Sequence, residues 1–390
     1  TGAGRTSSVC SRRSTTGVSY PEIAIGGTLR NWVQTENKRA LKHDEVYVVR
    51  YLTSNQSEIV IEKEMNILTL DEAKQNETYV RKAIYDELER WRSLGGFRRH
   101  PRKLAKNILD SRWVLKWKLV DGHKVIKARL TARGFKDKQS NELSTFAGTA
   151  SRWGQRIVNL IAAQKRWKLF SADIGQAFLR GLSFEQIEEL DGEVQREVEM
   201  TVPPGSVPVL RQLNGYEDFD EHSEVLQMLR GGFGLKDAPR LWQKMLQKVL
   251  EEAGGRSLCT ESKLYVFFKQ GRLALIMSSH VDDLKGAGED DERERVLKIL
   301  TTRFGDLKRQ DGNFECIGIM HEQDPKTMAI WTHQHHYIKQ LRPISEDAYA
   351  QAELTDEVEL HTHNAYRSLL GAMAWLTQTM LPICIYISAL

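Results

Sequence analysis

Apolar and polar residues alternate most clearly around Trp113, Leu115, Trp117 and Leu119, with Lys116 and Lys118 interleaved between them. A period of two is the mark of a strand with two unlike faces. Asp121-Gly122 supplies the turn and Val125 to Leu130 returns, so a β-hairpin is predicted here. Helical spacing comes first at Ile84, Leu88 and Trp91, in a helix predicted to begin near Val80 and to end at Gly95-Gly96. Leu169 to Asp173 reads as a short buried strand, with Ile174 to Leu179 starting a helix after it. The acidic stretch Glu185 to Glu199 reads as a surface excursion closed by the turn Pro203-Pro204-Gly205. Leu241, Met245 and Val249 mark an amphipathic helix. A strand hairpin follows, then a charged helix from Asp290 to Arg303 and a strand from Phe314 to Met320. Strands mixed with helices in this way indicate an α+β or α/β layer. Before Val80 only Val46 to Val49 and Ile59 to Ile61 look strand-like, so residues 1–75 are expected to be a linker or poorly ordered segment.

Composition adds an ordinary soluble profile, 41% hydrophobic and 28% charged over 390 residues. The charge is unevenly spread. Between Phe97 and Lys138 there are 14 lysines and arginines against three aspartates, although the whole chain carries only +4. Such a block, with Phe97, Trp113, Trp117 and Phe135 among its cations, points to a polyanionic partner and to nucleic acid in particular; a solvated face is the plainer alternative. The four cysteines, Cys10, Cys259, Cys316 and Cys384, form no Cys-x-x-Cys pair and fit a reducing compartment. No zinc is assigned to His333, His335, His336, His361 and His363, whose spacing matches no familiar site. Leu369 to Leu390 is apolar, but Thr377-Gln378-Thr379 and Pro382 interrupt it, so a buried helix is expected there and no membrane partner. With no apolar leader at the start, an intracellular location, cytoplasmic or nuclear, is expected.

The candidate chemistry lies at the tip of the second hairpin. His280-Val281-Asp282-Asp283-Leu284 follows the apolar run Leu273 to Met277, and paired carboxylates repel unless something binds them. Oxygen-only ligands suit a hard cation such as Mg²⁺. Asp-Asp also occurs in solvated turns, and alone it decides nothing. Asp173 ends another predicted strand. If the two strands are neighbours, three carboxylates converge on one sheet edge, an arrangement that holds two Mg²⁺ ions in nucleotidyl transfer.

In order along about 300 residues the chain resembles the reverse transcriptases of copia-type retrotransposons. Lys127-Ala128-Arg129-Leu130-Thr131-Ala132-Arg133-Gly134-Phe135, Asp173-Ile174-Gly175-Gln176-Ala177-Phe178-Leu179-Arg180-Gly181, Gly234-Leu235-Lys236-Asp237-Ala238-Pro239-Arg240, His280 to Leu284, and Tyr366-Arg367-Ser368-Leu369-Leu370-Gly371 are similar to that family's motifs. The resemblance implies an α+β, right-hand polymerase fold of fingers, palm and thumb with a ferredoxin-like palm sheet. Fingers and palm would span residues 76–320, and the thumb with the start of a connection 321–390. It implies an RNA-directed DNA polymerase fragment of a longer polyprotein, adding dNTPs to the 3′-hydroxyl of a primer on an RNA or DNA template. Two Mg²⁺ ions, or Mn²⁺ in their place, would sit on Asp173, Asp282 and Asp283 as metal-binding catalytic carboxylates. Lys127, Arg129, Phe178 and Gly234 would meet the nucleotide, Phe178 as a gate excluding a 2′-hydroxyl. Lys116, Lys118, Arg133 and Lys236 would hold nucleic acid. The sequence departs from the family at His280, where tyrosine is usual, at Asp237, where glutamine is usual and a negative charge near the template is expected, and at Leu381-Pro382-Ile383. These departures keep open a second reading, a decayed or reused element that binds nucleic acid without catalysis.

Overall fold

The computed structural model describes residues 47–52, 58–63, 67–120, 123–192, 196–344 and 360–389. They fall into two compact units, one of Thr1–Glu87, Trp113–Arg129 and Ile344–Ser368, the other of Leu88–Arg112, Leu130–Pro343 and Leu369–Leu390.

In the first unit, strands β1 (Tyr47–Leu52) and β2 (Glu58–Lys63) pair antiparallel. The short helix α1 (Leu70–Gln75) starts at a reciprocal capping box: the Thr69 hydroxyl accepts from the Glu72 backbone N–H and the Glu72 carboxylate accepts from that of Thr69. The Leu68 N–H donates to the Leu115 carbonyl, and the Trp117 indole to the Glu72 carboxylate at 3.3 Å. These bonds fasten the segment to the basic ribbon of β5 (Ser111–Val120) and β6 (His123–Ala132), the predicted hairpin. Its expected turn, Asp121-Gly122, lies outside the described residues.

Helix α2 (Glu77–Ser93) carries the predicted apolar stripe, with Ile84, Leu88 and Trp91 buried. It stops where Gly95 turns to φ +63° and the Gly96 N–H returns to the Trp91 carbonyl. In the second unit Phe97 stacks on Trp91, placing strand β3 (Phe97–Pro101) in a sheet with β4 (Ile108–Leu109), β8 (Glu199–Met200) and β9 (Glu224–Met228), in the order β3-β9-β8-β4.

The main sheet of the second unit has six strands. They are β7 (Leu169–Ile174), β10 (Arg256–Leu258), β11 (Glu261–Lys269), β12 (Arg272–His280), β13 (Asp283–Gly288) and β14 (Leu307–Asp311). Their order is β10-β11-β12-β13-β7-β14, antiparallel throughout. Consecutive residues Leu169 and Phe170 are both fully buried, so the centre of the sheet is covered on both faces, which explains why its strands read as apolar runs. Helix α3 (Arg152–Lys165) presses Val158 and Ala162 onto Leu169, Leu264, Ile276 and Ala287. After the short helix α5 (Val207–Leu210), the predicted amphipathic and charged helices appear as α6 (Ala238–Glu252) and α7 (Asp290–Phe304), joined edge to face through Trp242 and Phe304.

Four local expectations are corrected. The acidic stretch is not a surface excursion. Ser183 and Gln186 form a capping box that starts helix α4 (Phe184–Asp191), which buries Phe184 and Ile187, and Arg196 and Glu199 beyond it are buried too. After Asp173 the chain makes only a single 3₁₀ turn, Ala177–Arg180, because Gln176 adopts a left-handed φ of +59°. The strand expected from Phe314 to Met320 is folded back on itself. Ile317 and Gly318, both at positive φ, make a two-residue turn between β15 (Phe314–Cys316) and β16 (Ile319–Gln323), and β17 (Ile330–His333) completes a three-stranded sheet. The apolar C-terminal stretch lies on helices Leu360–Leu376 and Cys384–Ala389, separated by the interruption at Thr377 to Pro382. They are half-buried to exposed, with Leu376 the buried member among their described residues. No helix among the described residues is long and apolar enough to cross a membrane.

Candidate functional site

Strand β7 ends at Ile174 and β13 begins at Asp283, and the antiparallel register sets Asp283 directly opposite Asp173. Asp282 sits in the two-residue turn before β13, where its carbonyl accepts from the Ile174 N–H at 3.3 Å. Carboxylates 109 residues apart in sequence therefore meet at one sheet edge. Val281, the other turn residue, has φ +57°, as the first position of a mirror-image hairpin turn requires. For a β-branched side chain that conformation is strained. What holds it is the buried Trp242 of α6, whose indole N–H donates to the Val281 carbonyl at 2.6 Å.

The edge is strongly negative. Burial, then the neighbouring charges of Asp282 and Asp173, push the Asp283 carboxyl up to about 6. Lys308, opposite Asp173 on β14, partly balances it by an ion pair at 2.7 Å. Its side chain is 69% exposed and can swing into solvent at little cost. Three oxygen donors beside one displaceable cation suit a hard divalent ion whose remaining positions are filled by phosphate or water. Among the described residues no three or more His, Cys, Asp or Glu side chains are grouped so as to hold a metal ion.

Next to this edge, Phe178 lies half-buried on the 3₁₀ turn, edge-on to Phe233 with ring centroids 5.2 Å apart. Gly234 follows at φ +95°, and a Cβ there would come within 1.9 Å of the Ala132 carbonyl oxygen. Only glycine fits. The Ala132 N–H donates to the Phe233 carbonyl, so the end of β6 is locked onto the Gly232 to Gly234 turn by backbone alone. Two of the motifs picked out along the sequence thus meet in space.

Arg133 is exposed and 3.8 Å from Asp110, which also pairs with Lys136. Lys236 is exposed, its ammonium 3.4 Å from the Ser140 hydroxyl. Lys116, Lys118, Lys127 and Arg129 belong to the first unit, on the ribbon, where Lys118, Lys127 and Arg129 are exposed. Burial, and then Arg129 nearby, lower the affinity of Lys116 for its proton.

Asp237 is the clearest departure from expectation. It does not place charge near a template: it is buried, and its carboxylate accepts from Arg196 Nε at 2.9 Å. The same guanidinium reaches Asp137, which also accepts from the Asn107 amide at 2.8 Å. Burial would raise the Asp137 carboxyl, but hydrogen bonds from Arg196 and Asn107 outweigh it and hold the group below its ordinary value. Sequence reasoning missed Arg196, Trp242, Lys308 and Lys285. The last is fully buried on β13, and its ammonium is held by the Gln155 carbonyl at 2.9 Å, the Asn159 amide oxygen at 3.0 Å and His321 Nε2 at 3.2 Å. His280 turns a buried Nδ1 to no hydrogen-bond partner among the described residues, and burial keeps its ring less basic than usual.

The fold is an antiparallel α+β sheet that sets Asp173 and Asp283 in register beside the turn carrying Asp282. Residues 100–357 match the family model described as reverse transcriptase (RNA-dependent DNA polymerase), and the chain belongs to that family. It is 25% identical over 287 residues to the retrovirus-related Pol polyprotein from transposon RE2 of Arabidopsis thaliana, a stretch that is 70% of this chain and 18% of that protein. Against the Pol polyprotein from transposon TNT 1-94 of Nicotiana tabacum it is 23% identical over 265 residues, 67% of this chain and 18% of the relative. The chain thus spans under a fifth of the length of these copia-type relatives.

Proposed function

We propose that the chain is the RNA-directed DNA polymerase part of a copia-type retrotransposon polyprotein, adding dNTPs to a primer 3′-hydroxyl by two-metal nucleotidyl transfer. The observation that carries this reading is the register that sets Asp173 against Asp283 with Asp282 at the adjoining turn. Asp173, Asp282 and Asp283 would hold two Mg²⁺ ions, which when bound lower the pKa of the attacking hydroxyl and steady the departing pyrophosphate. Lys308 would release Asp173 as metal enters. Phe178, propped by Phe233, would lie against the sugar and exclude a 2′-hydroxyl. Lys127 and Arg129 would meet the triphosphate, and Gly234 would let the backbone come close to it. Lys116, Lys118, Arg133 and Lys236 would bind template and primer phosphates. The arrangement would be that of a right-handed polymerase, with β7, β12 and β13 in a ferredoxin-like palm.

Primer extension with an RNA template, a DNA primer, dNTPs and Mg²⁺ tests this. The unmutated chain should extend the primer and Asp282→Asn should not. No extension in either Mg²⁺ or Mn²⁺ would sink the catalytic reading and favour the alternative, a reused element that binds nucleic acid only. That alternative now rests on His280 and Leu381-Pro382-Ile383, since Asp237 is internally paired.

A further inference from the structure

Behind the carboxylate edge, within the second unit, lies a cavity of about 130 Å³ whose walls include Arg152 and Arg156 of α3, His280, Lys285, His321 and Trp375. No carboxylate is among the described residues that line it. This is the reverse of the edge next door. Two arginines share one small space with Lys285, which is only 1% exposed, has neutral partners alone around its nitrogen, and has its pKa pushed down by that burial to about 8. A buried charge is ordinarily matched by an opposite one, because removing it from water is costly. Here the matching charge is absent from the walls. The Arg156 guanidinium lies over the Trp153 ring at 5.2 Å and spends one N–H on the Gln378 carbonyl at 3.0 Å, leaving others to donate. His280 contributes the buried Nδ1 that lacks a partner among the described residues.

We propose that this cavity is an oxyanion site that takes a phosphate group, separate from the metal-binding edge and needing no metal. Phosphate fits because it offers several acceptor oxygens at once to convergent donors, and guanidinium forks bind it with good geometry. It would supply the counter-charge that Lys285 lacks, and its oxygens would meet Arg152, Arg156 and His280 Nδ1–H. Two sources carry such a group, free pyrophosphate and the phosphodiester of a nucleic-acid strand; the strand source alone rests on the polymerase reading.

The test is calorimetric titration of the full chain at low salt in EDTA, once with sodium pyrophosphate and once with a short single-stranded oligodeoxynucleotide. Arg156→Gln should weaken binding by about tenfold or more, since a hydrogen bond to a charged group is lost. Arg152→Gln should weaken it less, and Asp282→Asn should not weaken it. Arg152 is exposed, so its variant carries the test should Arg156→Gln fail to fold. Arginine-dependent binding of pyrophosphate supports a free-phosphate site, and arginine-dependent binding of the oligonucleotide alone supports a strand phosphate. Unchanged affinity in a folded Arg152→Gln, or no binding of either probe, overturns the proposal. Primer extension run in parallel separates the two claims: failed extension with arginine-dependent pyrophosphate binding ends the polymerase reading and leaves the cavity standing.

Discussion

Replacing Arg196 with methionine should be among the most damaging single changes in the second unit. The Arg196 side chain is 2% exposed, and those of Asp137 and Asp237 are 1% and 6% exposed. The substitution leaves two buried carboxylates with no cation between them. Removing one partner of a buried ion pair costs about 3–5 kcal/mol, most of it from the charge left behind. With a urea slope of about 3 kcal/mol/M, the unfolding midpoint should fall by about 1 M or more. The deficit should also depend on pH. In the unmutated chain the Asp137 carboxyl is held below its unfolded value, so its contribution is complete above about pH 4 and is lost as pH falls further. Without Arg196, burial acts against the charged form, and the folded carboxyl titrates above its unfolded value. The variant then regains stability as pH falls, and the gap between the two proteins should narrow from about pH 7 to about pH 4.5. Urea unfolding followed by tryptophan fluorescence at both pH values measures this. A midpoint within about 0.3 M of the unmutated chain at neutral pH would refute the argument that the cluster is buried and interdependent.

Two further outcomes follow from the same geometry. Gly234→Ala should cost about 3 kcal/mol or more, because it combines a φ of +95° with a Cβ 1.9 Å from a carbonyl oxygen, and a thermal melt within about 2 °C of the unmutated chain would be incompatible with that contact. Lys308→Met should leave stability within about 1 kcal/mol, its ion pair being exposed. It should also tighten Mn²⁺ binding by a factor on the order of five, since Asp173 loses a competing cation; titration followed by the paramagnetic signal of the free ion would show weaker or equal binding if the edge is not a metal site.

How much of this was legible in the sequence depended on range. The hairpin tip at Val281-Asp282 could be read because apolar runs on either side fix the strands and the turn between them. The ribbon of β5 and β6 was legible for the same reason, its period of two being written into Trp113 to Leu119. Helix α4 was written there as well, in the Ser183 and Gln186 capping signal, although the acidic composition of the stretch is that of a solvated surface segment. The split of the Phe314 to Met320 strand had one clue, Gly318, and Ile317 at φ +53° went against its own preference for extended backbone. Asp237 looked like an exposed charge because nothing near it in sequence is its partner: Arg196 is 41 residues away and pairs again with Asp137, 59 residues further back.

By itself the sequence determined the local elements, the concentration of positive charge before Lys138 and the identity of the three aspartates, since periodicity, turn chemistry and motif spacing act over a few residues. Tertiary structure alone decided which charges face each other. The register of β7 on β13 brings Asp173 to Asp283, strand β14 brings Lys308 from 135 residues away, and the packing of α3 on the sheet closes Lys285 into a space without acids. Such pairings depend on how strands align and helices dock, and electrostatic energy depends on distance and burial, neither of which is set by neighbours along the chain.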